Sequence, residues 1–386
     1  MNMDVILTII ASLTLIYIFF SLVELIFGFS TIKNLSTQTI LPDSKLPSVS
    51  IIFSALNEEK DIEAVVTSLL SLEYPDFEVI AINDRSDDNT AAILNALKVK
   101  YAQLQVHHLS ALPPDWLGKN HALYHGARFA KGEWLLFTDA DVLMRKDTLT
   151  RAVSYAKERQ LHHLTLCELH VKTTFWLRIL LLAYYLIYGV VLKPWRIRHD
   201  WSNKSLGHGA FNLVQREVYE TCGTHQAIAL ECLDDLKLGA LIKDRGYRQD
   251  IADGRDLVKR QWYATLPGMI EGWKKNTFAF FNYQLIVFLA AAIFAVVFFL
   301  MPVVSVFFTK GTLLLLNGLN VGCMLLAGAC ICRHFRLPMY YAVFYPVSIL
   351  LLLYAILNSI VVTYRQGGIV WRGTHYPLSL LRRKAG

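Results

Sequence analysis

The sequence lacks the cysteine pairs that would indicate a metal centre or a disulfide framework. None of its 6 cysteines forms a C-x-x-C pair, and Cys330 and Cys332 stand in an apolar stretch. Such usage is typical of a reducing compartment, where structural disulfides are rare. Arginine–glycine repeats and alternations of aromatic with basic residues are also missing. We therefore do not expect nucleic acid to be a partner.

The composition of the 386-residue chain is unusually apolar. Hydrophobic residues make up 54% of it, and the mean hydropathy is +0.37. This is too apolar for an ordinary soluble domain and predicts membrane segments. The net charge is +7 and the isoelectric point is about 9.0. We interpret the excess of Lys and Arg as residues on the cytoplasmic side of a membrane, close to anionic lipid.

The N-terminal segment, residues 1–30, has an apolar core long enough to cross a bilayer. A cleaved signal peptide is the alternative. It is disfavoured because no Lys or Arg precedes the core and no clear small-residue cleavage site follows it. We therefore predict a retained transmembrane anchor.

Residues 285–364 contain three further apolar stretches, which predict C-terminal spans. A basic tail follows at 365–386. Basic residues favour the cytoplasmic side for this tail, whereas three spans after a cytoplasmic domain would place it outside. One apolar segment is then re-entrant or interfacial, and the sequence does not say which. The shorter apolar run near 175–192 predicts an interfacial helix, with a buried core helix as the alternative.

Between the apolar ends, residues 48–282 alternate strands with helices. This pattern predicts an α/β fold with a mostly parallel, right-handed sheet. Acidic residues follow successive strands at Glu58, Asp84, Asp139 and Asp141. Ligands bind at the carboxyl edge of such sheets. The four acids therefore predict a binding site at that edge.

The pair Asp139 and Asp141 follows a buried strand at 134–137 directly. Two hard oxygen ligands at this spacing suit a divalent cation, Mg²⁺ or Mn²⁺, that bridges them to a substrate diphosphate. A turn that closes the strand is the alternative. Two other residues also have two interpretations. Lys119 is either a phosphate-binding charge or an exposed surface lysine, and Asp84 either binds a ligand or caps a helix.

Several motifs occur in the order found in the family 2 glycosyltransferases, which the chain resembles from about residue 48 to 276. The segment A-L-N-E-E is similar to the family's first nucleotide-contacting turn, and N-D-R-S-D-D to the second, whose first acid typically binds uracil. G-K-N-H-A-L is similar to a segment whose Lys contacts the nucleotide, and T-D-A-D to the metal-binding D-x-D. The resemblance thus implies a GT-A fold and donor-binding roles for Asn57, Glu58, Asp84, Lys119 and Asp139.

The stretch L-P-P-D-W-L-G-K at 112–119 is closer to membrane-bound members that act on polycyclic or carotenoid lipids. The hopanoid-associated type is the most similar of these. The resemblance therefore implies a lipid acceptor.

Two later segments resemble the family's acceptor side. Gly207, His208 and Gly209 lie in a glycine-containing acceptor loop, and Asp234-Asp235 matches the family's Glu-Asp before a helix. The resemblance implies that Asp235 is the general base and that Asp234 takes the Glu position. Without this resemblance, we would interpret His208 as a structural histidine and the two acids as residues that stabilise the N-terminus of a helix. Inverting transfer needs one such base, because a metal stabilises the leaving diphosphate.

The family's processive synthases carry Q-x-x-R-W, which is absent here in its usual form. Its absence favours the addition of a single sugar over polymer synthesis. Taken with the apolar segments, the resemblance predicts a multi-pass inner-membrane enzyme with a cytoplasmic catalytic domain. It would move one sugar, with inversion, from a UDP-sugar to a lipid. The alternatives are a processive polysaccharide synthase and a non-catalytic membrane transport or lipid-binding protein.

Overall fold

The computed structural model of the protein describes residues 3–171 and 173–382. The strands in this part of the chain are β1 (Lys33–Asn34), β2 (Val49–Ala55), β3 (Phe77–Asp84), β4 (Leu104–Leu109), β5 (Trp134–Asp139), β6 (Val142–Met144), β7 (His163–Cys167), β8 (Leu169–His170), β9 (Asn212–Gln215), β10 (Gln249–Asp253), β11 (Val258–Arg260), β12 (Gly368–Trp371) and β13 (Thr374–Pro377).

The α-helices of the same residues are α1 (Met3–Thr31), α2 (Ile62–Leu70), α3 (Thr90–Lys100), α4 (Gly118–Ala127), α5 (Thr148–Glu158), α6 (Phe175–Ile187), α7 (Arg216–Thr221), α8 (Asp234–Asp244), α9 (Leu266–Trp273), α10 (Asn276–Ala279), α11 (Leu285–Ala295), α12 (Met301–Ser305), α13 (Gly311–His334), α14 (Tyr345–Arg365) and α15 (Leu378–Arg382). A π-helical turn, Tyr188–Leu192, continues α6, and another, Val296–Leu300, joins α11 to α12.

The central sheet has the strand order β1-β10-β7-β9-β5-β2-β3-β4. β9 runs antiparallel to both of its neighbours, and the other pairs are parallel. β2 is buried at every residue and β5 at every residue but its last, as expected of parallel strands covered on both faces. The predicted α/β fold with a mostly parallel sheet is confirmed.

The carboxyl ends of β2, β3 and β5 meet at one edge because these strands run in the same direction. In this register Ser54 lies beside Asp139, and Ala55 lies beside Asn83. The turns that follow the three strands therefore converge at this edge, where the sequence predicted a site.

A small second sheet, in the order β6-β11-β8, stands next to this edge. It aligns Arg260 of β11 with Val142 of β6 and with His170 of β8. Since Val142 directly follows Asp141, the pairing brings Arg260 to the two aspartates of the D-x-D segment.

Five helical segments of the described chain are long and apolar enough to cross a membrane, by length and composition: Met3–Thr31, Phe175–Arg196, Leu285–Ser305, Gly311–His334 and Met339–Arg365. Two of them are more enclosed by protein than the others. The most apolar stretch of Phe175–Arg196 is 50% buried and that of Met339–Arg365 is 44% buried, against 33% for Gly311–His334, 22% for Met3–Thr31 and 11% for Leu285–Ser305. These two pack on each other through α6 and α14.

Helices α1 and α13 lie side by side and run in the same direction. The Asn320 side chain donates to the Ala11 carbonyl at 3.1 Å, and the Phe29 ring stacks on His334 with centroids 4.0 Å apart. Both C-terminal ends reach the α/β domain, since Arg198 donates to the Thr31 carbonyl at 3.0 Å and Arg336 pairs with Asp256 at 2.7 Å.

The segment that the sequence predicted only as a basic tail is folded as far as residue 382. β12 and β13 form an antiparallel hairpin, and α15 follows it. The hairpin contacts the α/β domain, because Arg372 lies 3.4 Å from Asp84 and the Lys275 ammonium lies 3.9 Å from the centre of the Trp371 ring. Arg383 and Lys384, which were expected in the same tail, fall outside the described residues.

Candidate active site

A cavity of about 370 Å³ opens at the carboxyl edge of the sheet. Its wall combines ends of strands, the first turns of α4 and α8, and helices α6 and α14. Most of the residues singled out from the sequence line it: Glu58, Lys119, Asp139, Asp141, Gly207, His208, Gly209, Asp234 and Asp235.

The D-x-D aspartates are held by two cations. Lys119 Nζ lies 2.9 Å from Asp139 Oδ1, and Arg260 binds Asp139 Oδ2 at 2.9 Å and Asp141 Oδ2 at 3.0 Å. Burial works against ionisation, yet Lys119 and Arg260 hold the pKa of Asp139 well below its usual range. Burial raises the pKa of Asp141, although Arg260 opposes the shift. The two carboxylates thus differ in proton affinity.

These aspartates fit a hard divalent cation. Asp141 Oδ1 is buried in the cavity wall and has no hydrogen-bond partner, so one carboxylate oxygen is left for a further ligand. Among the described residues, no group of three or more His, Cys, Asp or Glu side chains is arranged to hold a metal. The protein therefore offers two carboxylates, and the remaining ligands of an Mg²⁺ or Mn²⁺ would come from substrate and water.

Lys119 is not an exposed surface lysine. Only 14% of its side chain is accessible, and its ammonium also pairs with Asp234 Oδ2 at 3.0 Å. Burial lowers the pKa of Lys119, but Asp139 and Asp234 outweigh this effect and raise it above the usual value. The first turn of α4 thus supplies to the cavity an ammonium whose charge is stabilised by two carboxylates.

The two acids of α8 have different surroundings. Asp234 is buried and bound to Lys119; burial raises its pKa to about 6 in spite of that cation. The Asp235 carboxylate accepts hydrogen bonds from two backbone N–H groups, those of Gly209 and Leu236, each at 2.8 Å. Both acids line the cavity.

The loop of Gly207, His208 and Gly209 packs tightly against Asp235 and Asp139. A Cβ on Gly207 would lie 2.1 Å from the Asp235 carbonyl oxygen, and one on Gly209 would lie 2.5 Å from Asp139 Oδ2. Neither position tolerates a side chain without displacement. His208 between them binds Glu168 through Nδ1 at 2.9 Å. Burial disfavours its charged form, yet Glu168 raises the pKa of His208 above the usual value.

Two predicted donor-binding residues do not line the cavity. Asn57 is exposed; its side-chain oxygen accepts from the Asp87 N–H at 3.0 Å and so links the turn after β2 to the turn after β3. Asp84 is fully buried and bound by Arg85 through two contacts at 2.8 and 3.2 Å. A longer contact to Arg372, which does line the cavity, connects Asp84 to it.

Sequence reasoning assigned no role to four charged residues of the cavity. These are Glu168, Arg260, Lys275 and Arg372. Arg260 and Lys275 had a weak signal, because they lie in the segments K-R-Q-W-Y at 259–263 and E-G-W-K-K-N at 271–276, where the processive motif would be sought. Glu168 and Arg372 reach the cavity through contacts distant in sequence, which no local pattern reveals.

The remaining wall of the cavity is apolar and aromatic. It is built from α6 and its π-helical continuation, from the residues around α9 and α10, and from α14: Tyr184, Ile187, Tyr188, Leu192, Trp262, Trp273, Phe280, Phe281, Leu352 and Ile356. The rings of Tyr184 and Trp262 are 5.4 Å apart, and Trp262 also packs against Trp273 at 5.9 Å. The aromatic residues thus form a continuous surface beside the carboxylates.

The central region of the chain matches the model of a known family. Residues 50–223 match the model of the family described as glycosyl transferase family 2. The 4,4'-diaponeurosporenoate glycosyltransferase of Staphylococcus aureus strain N315 is 25% identical over 251 residues, which cover 64% of this chain and 65% of that protein. The protein of the same name from strain MRSA252 is 25% identical over 232 residues, with coverages of 59% and 60%. The chain thus spans less than two thirds of these relatives' length.

A solved structure has the same fold. A mannosyltransferase from Pyrobaculum calidifontis, in complex with GDP-Man and Mn²⁺, superimposes with a TM-score of 0.60 at 17% identity. The match covers 92% of this chain and 99% of that one. At this identity the similarity shows the fold alone, and it confirms the GT-A type of α/β fold.

The tight glycine loop yields a first prediction. Gly209→Ala should lower catalytic activity by about 10²-fold, because the added Cβ displaces the Asp139 carboxylate by a fraction of an ångström or more. Gly318→Ala is the matched control, since a Cβ there meets nothing within 4 Å. Activity and thermal unfolding are measured on both detergent-solubilised variants. Wild-type turnover by Gly209→Ala would show that the loop does not constrain Asp139.

Proposed function

We propose that this chain, whose residues 50–223 form a glycosyltransferase family 2 domain, transfers a single sugar from a UDP-sugar to a membrane lipid with inversion at the anomeric carbon. The observation that carries the proposal is the composition of the cavity. A cluster of carboxylates and cations shares it with a wall of apolar and aromatic side chains. A charged diphosphate and an apolar acceptor therefore both find complementary surfaces there.

The donor's diphosphate would lie against the charged cluster. Lys119 and Arg260 are largely enclosed cations at the cavity wall, each with 14% of its side chain accessible, and both are suited to phosphate oxygens. A divalent cation, Mg²⁺ or Mn²⁺, at Asp139 and Asp141 would offset the negative charge of the departing diphosphate. Asn57, Glu58 and Asp84 are proposed to surround the nucleoside, a role supported by the resemblance of their turns to those of the family.

Asp235 is the proposed general base. It would take the proton of the acceptor hydroxyl as the oxygen attacks the anomeric carbon and the bond to the diphosphate breaks. Its carboxylate is oriented by two backbone N–H groups and is not bound to Lys119, whereas Asp234 is. Lys119 contacts both oxygens of the Asp234 carboxylate, at 3.2 and 3.0 Å, and so occupies the positions that an acceptor hydroxyl would need. Asp234 would therefore position Lys119.

The acceptor would enter along the aromatic wall, past Gly207, His208 and Gly209. Trp262, Trp273 and the residues of α6 and α14 offer an apolar surface in the cavity that Asp235 also lines. A lipid whose hydroxyl reaches the base while its chain lies along these helices fits this arrangement.

We propose that three of the five apolar segments cross the membrane: α1, the segment Leu285–Ser305 and α13. Since α1 and α13 run in the same direction and both end at the α/β domain, α13 begins on the far side of the membrane. Leu285–Ser305 would cross to that side. Because the C-terminal hairpin contacts the α/β domain, α14 would not cross, and neither would α6, which packs on it. This arrangement removes the conflict between the number of spans and the basic tail.

The metal role is tested with Asp141→Ala. We expect sugar transfer to fall by at least about 100-fold, because one of the two metal-binding carboxylates is lost. A chelator should abolish sugar transfer by the wild type, and added Mg²⁺ or Mn²⁺ should restore that activity. Asp43→Ala, at an exposed aspartate outside the cavity, is the matched control. Full wild-type activity in excess EDTA would end the metal hypothesis.

The base is tested with Asp235→Asn, which keeps size and polarity but removes the proton acceptor. Turnover should fall by about 10²–10⁴-fold, while UDP binding measured by calorimetry stays near normal. Asp234→Asn should cost less. If Asp234→Asn is inactive and Asp235→Asn active, the two roles are exchanged; if both are active, neither acid is the base.

The topology is tested with single cysteines in a background that lacks the 6 native ones. Val99→Cys, at a side chain that is 91% exposed, and His375→Cys in the C-terminal hairpin should resist an impermeant thiol reagent in intact cells. Lys310→Cys, between α12 and α13, should react. All three should react after permeabilisation. Labelling of His375→Cys in intact cells would place the hairpin outside the cytoplasm and contradict the proposed topology.

A further inference from the structure

The C-terminal hairpin presents an arginine at its tip. In the register of β12 and β13, Trp371 pairs with Thr374, so the turn consists of Arg372 and Gly373 alone. Both have positive φ, 50° at Arg372 and 75° at Gly373. Two-residue turns of this kind favour Asn or Gly at the first position, and an arginine in a left-handed conformation is strained. Such strain often accompanies function.

The Arg372 side chain points into the donor side of the cavity. Its Nη1 lies 3.3 Å from Ser54 Oγ and 3.4 Å from Asp84 Oδ2. Ser54 is the strand neighbour of Asp139. The guanidinium thus stands at the same sheet edge as the D-x-D aspartates, although it comes from the opposite end of the chain.

Asp84 does not need Arg372 as its counter-charge. Arg85 already contacts both oxygens of that carboxylate, at 2.8 and 3.2 Å. The two contacts of Arg372 are both longer than these and involve a single nitrogen, so most of its donor capacity is free for another acceptor.

A second cation lies beside this arginine. Lys275, also in the cavity wall, stacks over Trp371, the residue that precedes Arg372. Burial, and then the charge of Arg372, lowers the pKa of Lys275 to about 7. Lys275 and Arg372, both in the partly enclosed cavity wall, repel each other when both are charged. An anion between them would relieve that repulsion.

The hairpin is anchored firmly enough to position this side chain. Ile369, Trp371 and Tyr376 are buried in the apolar core that also includes α6 and α14. The Leu378 N–H also donates to the Gly367 carbonyl at 2.8 Å, which closes the base of the hairpin.

We propose that Arg372 is a donor-binding residue, supplied by the C-terminal hairpin, whose guanidinium contacts the diphosphate of the nucleotide-sugar. This inference rests on the proposed function. It makes the C-terminal segment part of the active site. A guanidinium suits this role because its planar set of donors matches phosphate oxygens.

The test measures UDP binding to the full-length protein in detergent with Mn²⁺, by calorimetry. Arg372→Gln should weaken UDP binding by about 10- to 100-fold, the loss expected for a charge-assisted hydrogen bond. Arg372→Lys should recover part of it, because a point charge remains without the planar fork. Arg365→Gln, at an exposed arginine outside the cavity wall, is the control and should bind as the wild type does.

Uridine, measured by competition, is the second probe. It lacks phosphate, so its affinity should be the same in Arg372→Gln and wild type. A loss that is equal for UDP and uridine would mean that Arg372 acts on the nucleoside through Asp84, and would overturn the proposal. Tighter UDP binding by Arg372→Gln would also overturn it, since the hairpin would then exclude the nucleotide.

The proposed UDP donor and the proposed role of Arg372 can be refuted separately. A wild type that binds no UDP would refute the proposed donor, and this inference with it. A wild type that binds UDP, with Arg372→Gln equal to it, would refute the role of Arg372 alone. Thermal unfolding of each variant identifies a folding defect, and Arg372→Lys keeps the test decisive if Arg372→Gln does not fold.

Discussion

The carboxylate of Asp139, enclosed between Lys119 and Arg260, is the interaction on which the active site depends. A charge taken out of water is costly unless its partners are in place. Lys119 comes from α4 and Arg260 from the small sheet, and Lys119 in turn holds Asp234 of α8. Burying one aspartate therefore requires four separate parts of the chain to meet. The loop at Gly209, which leaves no room for a Cβ beside Asp139, adds a steric constraint to the electrostatic one.

The apolar helices and the α/β domain share one cavity. Tyr184 and Tyr188 of the α6 region and Leu352 and Ile356 of α14 lie in the same wall as the carboxylates. Apolar helices and acidic side chains are thus neighbours in space. The hydrophobic effect that holds α6 and α14 against the domain also shapes the apolar surface of the cavity.

Much of the fold and part of the site followed from local patterns. The buried strands and their alternation with helices predicted the mostly parallel sheet, and the acids after β2, β3 and β5 predicted the active edge. Nine of the residues named in advance do line the cavity. Local patterns succeeded here because parallel strands with a period-two or fully apolar character leave few alternative arrangements, and because their carboxyl ends must share one edge.

The amino-acid sequence by itself determined the sheet, its active edge and the match of residues 50–223 to the glycosyl transferase family 2 model. Only the tertiary structure decided that Arg260 pairs with the D-x-D aspartates, that Asp84 is enclosed by Arg85 and Arg372, and that the C-terminal segment returns to the catalytic domain. The physical reason is sequence distance. Arg260 is brought to Asp141 by the pairing of two three-residue strands, β6 and β11, and Arg372 to Asp84 by the packing of a hairpin at the far end of the chain. Neither short strands nor a single turn residue carries a periodic signal, so only the folded chain places these charges together.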